Sequence, residues 1–102
     1  MLTIDTDFKI IHKISEICRW IASLSHLWSR RVDLLNRGFS GFNSRWGLSI
    51  INEVVTFHRP HLVMIFFGAN DAVIDGVGSF VPLNEYEENL KMMVTTIQKV
   101  SD

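Results

Sequence analysis

The segment that decides the fold is an apolar run followed by a polar turn, HLVMIFFGAND at residues 61–71. Its apolar part lies between Pro60 and Gly68, and it is too short for a typical helix. A strand that is apolar at nearly every position is typical of a parallel sheet with helices on both faces. The sequence therefore predicts a strand at His61–Phe67 that is buried on both sides.

Amphipathic helices are predicted before this strand. Apolar residues at three- and four-residue steps predict a helix over Ile10–Trp28, although Phe8–Ile11 fits a short strand equally well. A second apolar stripe covers Trp46–Val55, with Asn43 as its expected N-cap. Pro60 is expected to end this helix, because the residue before a proline disfavours helical backbone angles.

A further strand and a last helix complete the pattern. Val32–Asn36 is a short apolar run and predicts a brief strand. Tyr86–Val100 carries a final apolar stripe, with Asn84 as its expected cap and Glu87 and Lys91 as a pair one turn apart.

Alternating helices and strands indicate an α/β fold with parallel strand pairing. A complete doubly wound domain needs about five βα units of ~30 residues each. The 102 residues contain two clear strands, so we expect a single, partial domain. The expected architecture is a partial flavodoxin-like, three-layer fold with a short parallel sheet and flanking helices.

Composition excludes several classes of protein. The net charge is −1, whereas a dedicated nucleic-acid binder would show a basic stripe. The longest uninterrupted apolar stretch, Leu62–Phe67, is far below the roughly 20 residues of a membrane span, and the N-terminal residues do not have the pattern of a secretory signal. Cys18 is the only cysteine, so no internal disulfide forms and a cytoplasmic location is expected. No ligand spacing for a metal is present, and no cofactor is expected.

Two polar loops directly follow the predicted strands. They are NRGFSGFN at residues 36–43 and GAND at residues 68–71. In open α/β sheets, ligands bind just beyond the carboxyl ends of the strands. Glycine N–H groups and an asparagine amide are suitable donors for an oxyanion hole.

Three blocks of sequence closely resemble the SGNH (GDSL-type) hydrolases, and in particular their branch of isoamyl acetate-hydrolysing esterases. The blocks are NRGFSGFNSRW at residues 36–46, IFFGANDA at residues 65–72 and PLNEYEENLK at residues 82–91. The resemblance extends from about Trp20 to Val100. It divides the chain into a divergent segment at residues 1–18 and a family-like part at residues 19–102.

The resemblance implies roles for a few residues. Gly41 matches the glycine that donates its backbone N–H to the oxyanion hole, with Gly38 as the second choice, and Asn70 matches the asparagine donor. Asp71 resembles a structural residue of the same loop. Phe39 and Phe42 are candidates for lining an acyl or alcohol pocket, and the implied substrate is a small ester or an acyl lipid.

Other parts of the family's catalytic apparatus have no match. Neither the G-D-S block of the nucleophile nor the D-x-x-H block of the base occurs in the 102 residues. Ser40 lies in G-F-S-G, which lacks the last glycine of an esterase elbow, so we interpret it as a turn residue. We expect surface or capping roles for the four histidines at positions 12, 26, 58 and 61.

These absences lead to two expectations. With no matching nucleophile block after a first strand, we expect a marginal fold whose exposed sheet edges tend to associate. We also expect no hydrolysis by the chain alone. Two interpretations remain open: a fragment or short isoform of an ester hydrolase, and a non-catalytic pseudoenzyme or interaction subunit that associates with a full-length homologue.

Overall fold

The structure is a computed structural model that describes the backbone of residues 2–5 and, in full, residues 20–101. Its helices and strands alternate along the chain. In order they are β1 (Leu2–Asp5), α1 (Trp20–Leu27), β2 (Leu35–Asn36), α2 (Ser44–His58), β3 (Val63–Phe66) and α3 (Leu83–Ser101).

The central strand of the described sheet is β1, with β2 on one side and β3 on the other. Both pairings are parallel, and Thr3 lies opposite Asn36 on one side and Met64 on the other. The sequence left three alternatives for a missing first strand: Phe8–Ile11 replaces it, the two other strands close the gap, or the fold is marginal. In the structure Leu2–Asp5 occupies the central place, and Phe8–Ile11 lies outside the described residues. Leu2–Asp5 was missed because four residues are too few to establish a period.

The strand predicted at Val32–Asn36 is shorter than expected. Only Leu35 and Asn36 pair with β1, opposite Leu2 and Thr3. The described strand therefore covers two of the five residues predicted at Val32–Asn36.

Burial along β3 alternates, which corrects the prediction of a doubly buried strand at His61–Phe67. Val63 and Ile65 pack against the core, whereas Met64 and Phe66 are 36% and 60% exposed. Alternate strand residues point to opposite faces, and α2 and α3 cover one of these faces. On the other face, the edge of the Trp20 ring contacts Phe66, with ring centroids 6.3 Å apart.

The core lies between α2, α3 and the covered face of the sheet. Its buried members are Ile51 and Val55 of α2, Phe67 after β3 and Met93 of α3. The expected N-cap of α2 is confirmed, because the Asn43 side chain accepts a hydrogen bond from the Trp46 N–H. At the other end, Arg59 adopts a left-handed conformation and its N–H caps the Val55 carbonyl.

The predicted cap of α3 is wrong. The helix begins at Leu83, and the Tyr86 N–H bonds to the Pro82 carbonyl at 2.9 Å. Proline suits a helix start because the first helical N–H groups have no intrahelical acceptor. Asn84 therefore lies within the first turn and is exposed.

Two findings concern the helices as a group. Helix α1 falls within the helix predicted at Ile10–Trp28, whose earlier part lies outside the described residues. Among the described helices, none has the length and hydropathy needed to cross a bilayer.

Candidate active site

The two loops that carry the predicted site residues meet at one edge of the sheet. In a parallel sheet the carboxyl ends of all strands lie at the same end of the sheet, so the segments after β2 and β3 both emerge there, on either side of β1. They are residues 37–43, which lead into α2, and residues 67–82, which lead into α3.

Local hydrogen bonds shape the first loop. The Gly38 N–H donates to Asn36 Oδ1 at 2.9 Å, and the Phe42 N–H donates to the Phe39 carbonyl at 3.1 Å. The second bond closes a turn in which Gly41 has a φ of 84°. A positive φ at the third position of a turn favours glycine. Its N–H donates to no residue in the described part of the chain.

Asn70 reaches this loop from the other side. Its Nδ2 donates to the Phe42 carbonyl at 2.9 Å, next to Gly41 in sequence. A side-chain amide carries two N–H hydrogens, and this bond uses one of them. The structure therefore joins Asn70 to the residue that follows Gly41 in the first loop.

Asp71 binds the first residue of α2, directly after the first loop. Its two carboxylate oxygens accept from the Ser44 N–H at 2.9 and 3.1 Å, and its backbone carbonyl accepts from the Val81 N–H at 3.1 Å. The side chain is 3% exposed. A carboxylate at a helix N-terminus is favoured by unpaired N–H groups and by the helix dipole.

Asn43 adds a third connection between the loops. Its Oδ1 accepts from the Trp46 N–H and its Nδ2 donates to the Ser79 carbonyl, both at 2.9 Å. The residue is fully buried. Residues 42–44 are thus bound to the second loop at Asn70, Asp71 and Ser79.

Helix α3 also holds the start of α2. Asn89 Nδ2 donates to Ser44 Oγ at 3.0 Å. Arg45 forms a bidentate salt bridge with Glu85, in which Nε and Nη2 donate to the two carboxylate oxygens at 2.6 and 2.8 Å. Hydrogen bonding and charge attraction from Arg45 lower the pKa of Glu85, to which a hydrogen bond with Asn89 also contributes. The hydrogen bond to Glu85 and its negative charge in turn raise the pKa of Arg45.

An aromatic cluster borders the first loop. Phe39 stacks on Phe42 with ring centroids 4.8 Å apart, and Phe42 meets Trp46 edge-on at 5.9 Å. Phe42 also packs against the core, whereas Phe39 is 43% exposed. Of the two aromatics predicted to line a substrate pocket, Phe39 therefore offers the accessible ring and Phe42 supports it.

A hollow of about 300 Å³ lies on the α3 side of the second loop. Gly68, Ala72, Val81 and Tyr86 are among the residues that line it. The Tyr86 hydroxyl is directed to the Phe67 carbonyl at 3.0 Å, and the Asp71 carboxylate is directed to Ser44. The walls are therefore mainly apolar.

The described histidines lie elsewhere. His58 is the last residue of α2 and accepts through Nε2 from Arg37 Nε at 2.9 Å, while His61 is exposed just before β3. Both residues flank the junction between α2 and the amino end of β3, and His58 is also hydrogen-bonded to the first residue of the loop after β2. Ser40 is exposed in the turn that Gly41 closes, in agreement with its interpretation as a turn residue.

Sequence reasoning missed the buried polar contacts of Ser44 and Asn89. A signal was present, because Asn89 lies within the apolar stripe of α3, three residues after Tyr86 and four before Met93. A polar residue at a buried helix position needs a hydrogen-bond partner. Separately, the described residues contain no group of three or more His, Cys, Asp or Glu suited to a metal ion.

The chain is similar to several known esterases in sequence. It is 41% identical over 87 residues to the human isoamyl acetate-hydrolyzing esterase 1 homolog, covering 79% of the chain and 35% of that protein. It is 43% identical over 79 residues to the isoamyl acetate-hydrolyzing esterase of Saccharomyces cerevisiae, covering 76% and 32%. A GDSL esterase/lipase of Arabidopsis thaliana is 36% identical over 89 residues, covering 81% and 35%. No protein-family model matches the chain.

The fold has a solved counterpart. The crystal structure of TesA superposes with a TM-score of 0.71 at 23% identity, covering 98% of this chain and 55% of that one. The sequence relatives are much longer, and the chain spans about a third of their length. Within that span, it belongs to the SGNH (GDSL-type) hydrolases, in the branch of the isoamyl acetate-hydrolyzing esterases.

Proposed function

We propose that this chain supplies the oxyanion-binding part of an SGNH-type ester hydrolase. The observation that carries the proposal is the bond from Asn70 Nδ2 to the Phe42 carbonyl. It holds the asparagine amide beside Gly41, whose N–H makes no bond to a described residue. Two such donors suit the negative charge that develops on an ester carbonyl oxygen during attack.

The proposed substrate is a small ester or an acyl lipid. Phe39 is proposed to contact its acyl or alcohol group, on a support formed by Phe42. This assignment rests on the exposure of the Phe39 ring beside the turn that contains Gly41.

We further propose that the 102 residues alone do not hydrolyse esters. Without a nucleophile and a base, an oxyanion hole and binding leave only ~10³–10⁴-fold acceleration over water in a triad hydrolase. The chain also has no match for the family's nucleophilic serine, whose backbone N–H is a third donor of that hole, so we expect p-nitrophenyl acetate hydrolysis by the purified chain to be close to that of buffer. Hydrolysis that is lost on Asn70→Ala would contradict this part of the proposal.

A chimera tests the oxyanion role directly. The segment of the yeast isoamyl acetate-hydrolyzing esterase that matches this chain would be replaced by the corresponding residues of the chain. We expect the chimera to hydrolyse acetate esters and Asn70→Ala in it to lower kcat by ~10²–10³-fold, as for loss of one oxyanion donor. Asn52→Ala, at an exposed position of α2, is the matched control. A folded chimera whose activity is unchanged by Asn70→Ala would refute the role.

The second candidate function is association with another copy of the chain or with a full-length homologue. It is favoured by the exposure of Met64 and Phe66 on β3, which pairs only with β1 in the described sheet. A cytoplasmic location remains part of the proposal, based on the single cysteine, and fractionation of cells that express the chain would test it.

A further inference from the structure

We infer that Asn89 of α3 is a positioning residue for the oxyanion donors. The inference rests on the proposed function and extends it to a helix that contributes no donor of its own. Asn89 is 6% exposed, and its Nδ2 donates to Ser44 Oγ at 3.0 Å.

Ser44 is the first residue of α2 and is fully buried. Its N–H donates to the Asp71 carboxylate and its Oγ accepts from Asn89. One residue therefore receives a contact from the second loop and a contact from α3. A shift of α3 relative to α2 would move Ser44 away from one of these partners.

Asn70 and Asp71 are neighbours in sequence, and each contacts a residue near the start of α2. Asp71 contacts Ser44, and Asn70 contacts the carbonyl of Phe42, two residues before Ser44. A displacement of Ser44 would therefore disturb both the Asp71–Ser44 contact and the Asn70–Phe42 contact.

The polar residues that contact Ser44 are buried. A buried donor or acceptor that loses its partner is costly, because no water replaces it. Asn43, Ser44, Asp71 and Asn89 are all buried polar residues. Their bonds favour one discrete arrangement of the loops, and Asn89 is the member of this set that α3 contributes.

The test is hydrogen exchange and chemical shift at the donors, measured by NMR on the ¹⁵N-labelled chain. Asn89→Leu keeps the number and branching of the side-chain heavy atoms and removes the amide. We expect the side-chain N–H of Asn70 to exchange at least tenfold faster and the backbone N–H signal of Gly41 to shift. Backbone amides of the core residues Val55 and Met93 report global opening, and the effect at Asn70 must exceed theirs.

Two further variants complete the test. Asn52→Leu makes the same substitution at an exposed position of α2 and is expected to leave Asn70 and Gly41 unchanged. Ser44→Ala removes the acceptor; it should reproduce the effect of Asn89→Leu, and the double variant should show no further change, as for two residues that act as one pair.

The inference is overturned if the Asn70 and Gly41 signals respond to Asn89→Leu no more than to Asn52→Leu. If Asn89→Leu does not fold, an unaltered Asn70 in Ser44→Ala overturns it equally. None of these signals depends on ester hydrolysis. An inactive chimera together with a positive NMR result would therefore refute the proposed function and leave the positioning contact intact.

Discussion

Asn70 and Asp71 are adjacent residues with different tasks. The Asn70 amide donates one of its two N–H groups to the Phe42 carbonyl. Both oxygens of the Asp71 carboxylate instead accept from the Ser44 N–H, and the residue is buried. Asp71 therefore connects the second loop to the start of α2, which agrees with the structural role that the resemblance implied for it.

At this scale we predict that Asp71→Ala destabilises the chain. The substitution leaves the buried Ser44 N–H without its acceptor, which costs about 1–3 kcal/mol. Urea unfolding followed by circular dichroism would measure the change in the free energy of unfolding. Asp75→Ala, at an exposed position of the same loop, should change it by less than about 0.5 kcal/mol. Equal effects of the two substitutions would contradict the anchoring role.

The element that organises the site is the N-terminal end of α2. Asn43 caps it, Asp71 and Asn89 contact Ser44, and Arg45 pairs with Glu85 of α3. The exposed Arg45–Glu85 pair contributes little energy by itself. The buried contacts are stronger determinants, because each satisfies a group that water cannot reach.

One turn further along α2, a glycine permits close packing against the segment after β3. A Cβ atom at Gly47 would lie 2.9 Å from Cε1 and Cε2 of Phe67, and closer still to Cζ. Phe67 is a buried core residue. Its ring therefore occupies the space that a side chain at position 47 would need.

At the scale of this helix we predict that Gly47→Ala is destabilising although alanine is the better helix former. The propensity gain is about 1 kcal/mol, whereas overpacking in a core costs typically 1–3 kcal/mol. We expect a net loss of up to about 2 kcal/mol in urea unfolding. Gly78→Ala, where an added Cβ meets no atom within 4 Å, is the control. A Gly47→Ala chain more stable than the original would show that Phe67 moves aside freely.

For the whole molecule, the sheet is the incomplete part. The described sheet has three strands in the order β2-β1-β3, which is the order of the first three strands in a flavodoxin-like sheet. Strand β3 leaves Met64 and Phe66 exposed. An exposed strand edge next to apolar side chains favours pairing with another chain.

We predict concentration-dependent self-association of the purified chain. Sedimentation velocity should show the mean sedimentation coefficient rising with concentration, and Phe66→Ser should reduce this rise by removing apolar surface from β3. Phe57→Ser is the control, because Phe57 is 82% exposed but lies on α2. A chain that remains monomeric across the concentration range would exclude association through β3.

The sequence by itself determined the α/β class, the helices α2 and α3, the Asn43 cap and the blocks of residues from which Gly41 and Asn70 are proposed as donors. These features depend on local periodicity, on capping chemistry and on short blocks of residues that are contiguous in the chain. Only the tertiary structure decided that Leu2–Asp5 occupies the centre of the sheet, that one face of β3 is exposed and that Asn89 reaches Ser44. Each of these depends on contacts between residues far apart in sequence, whose partners a local pattern does not contain.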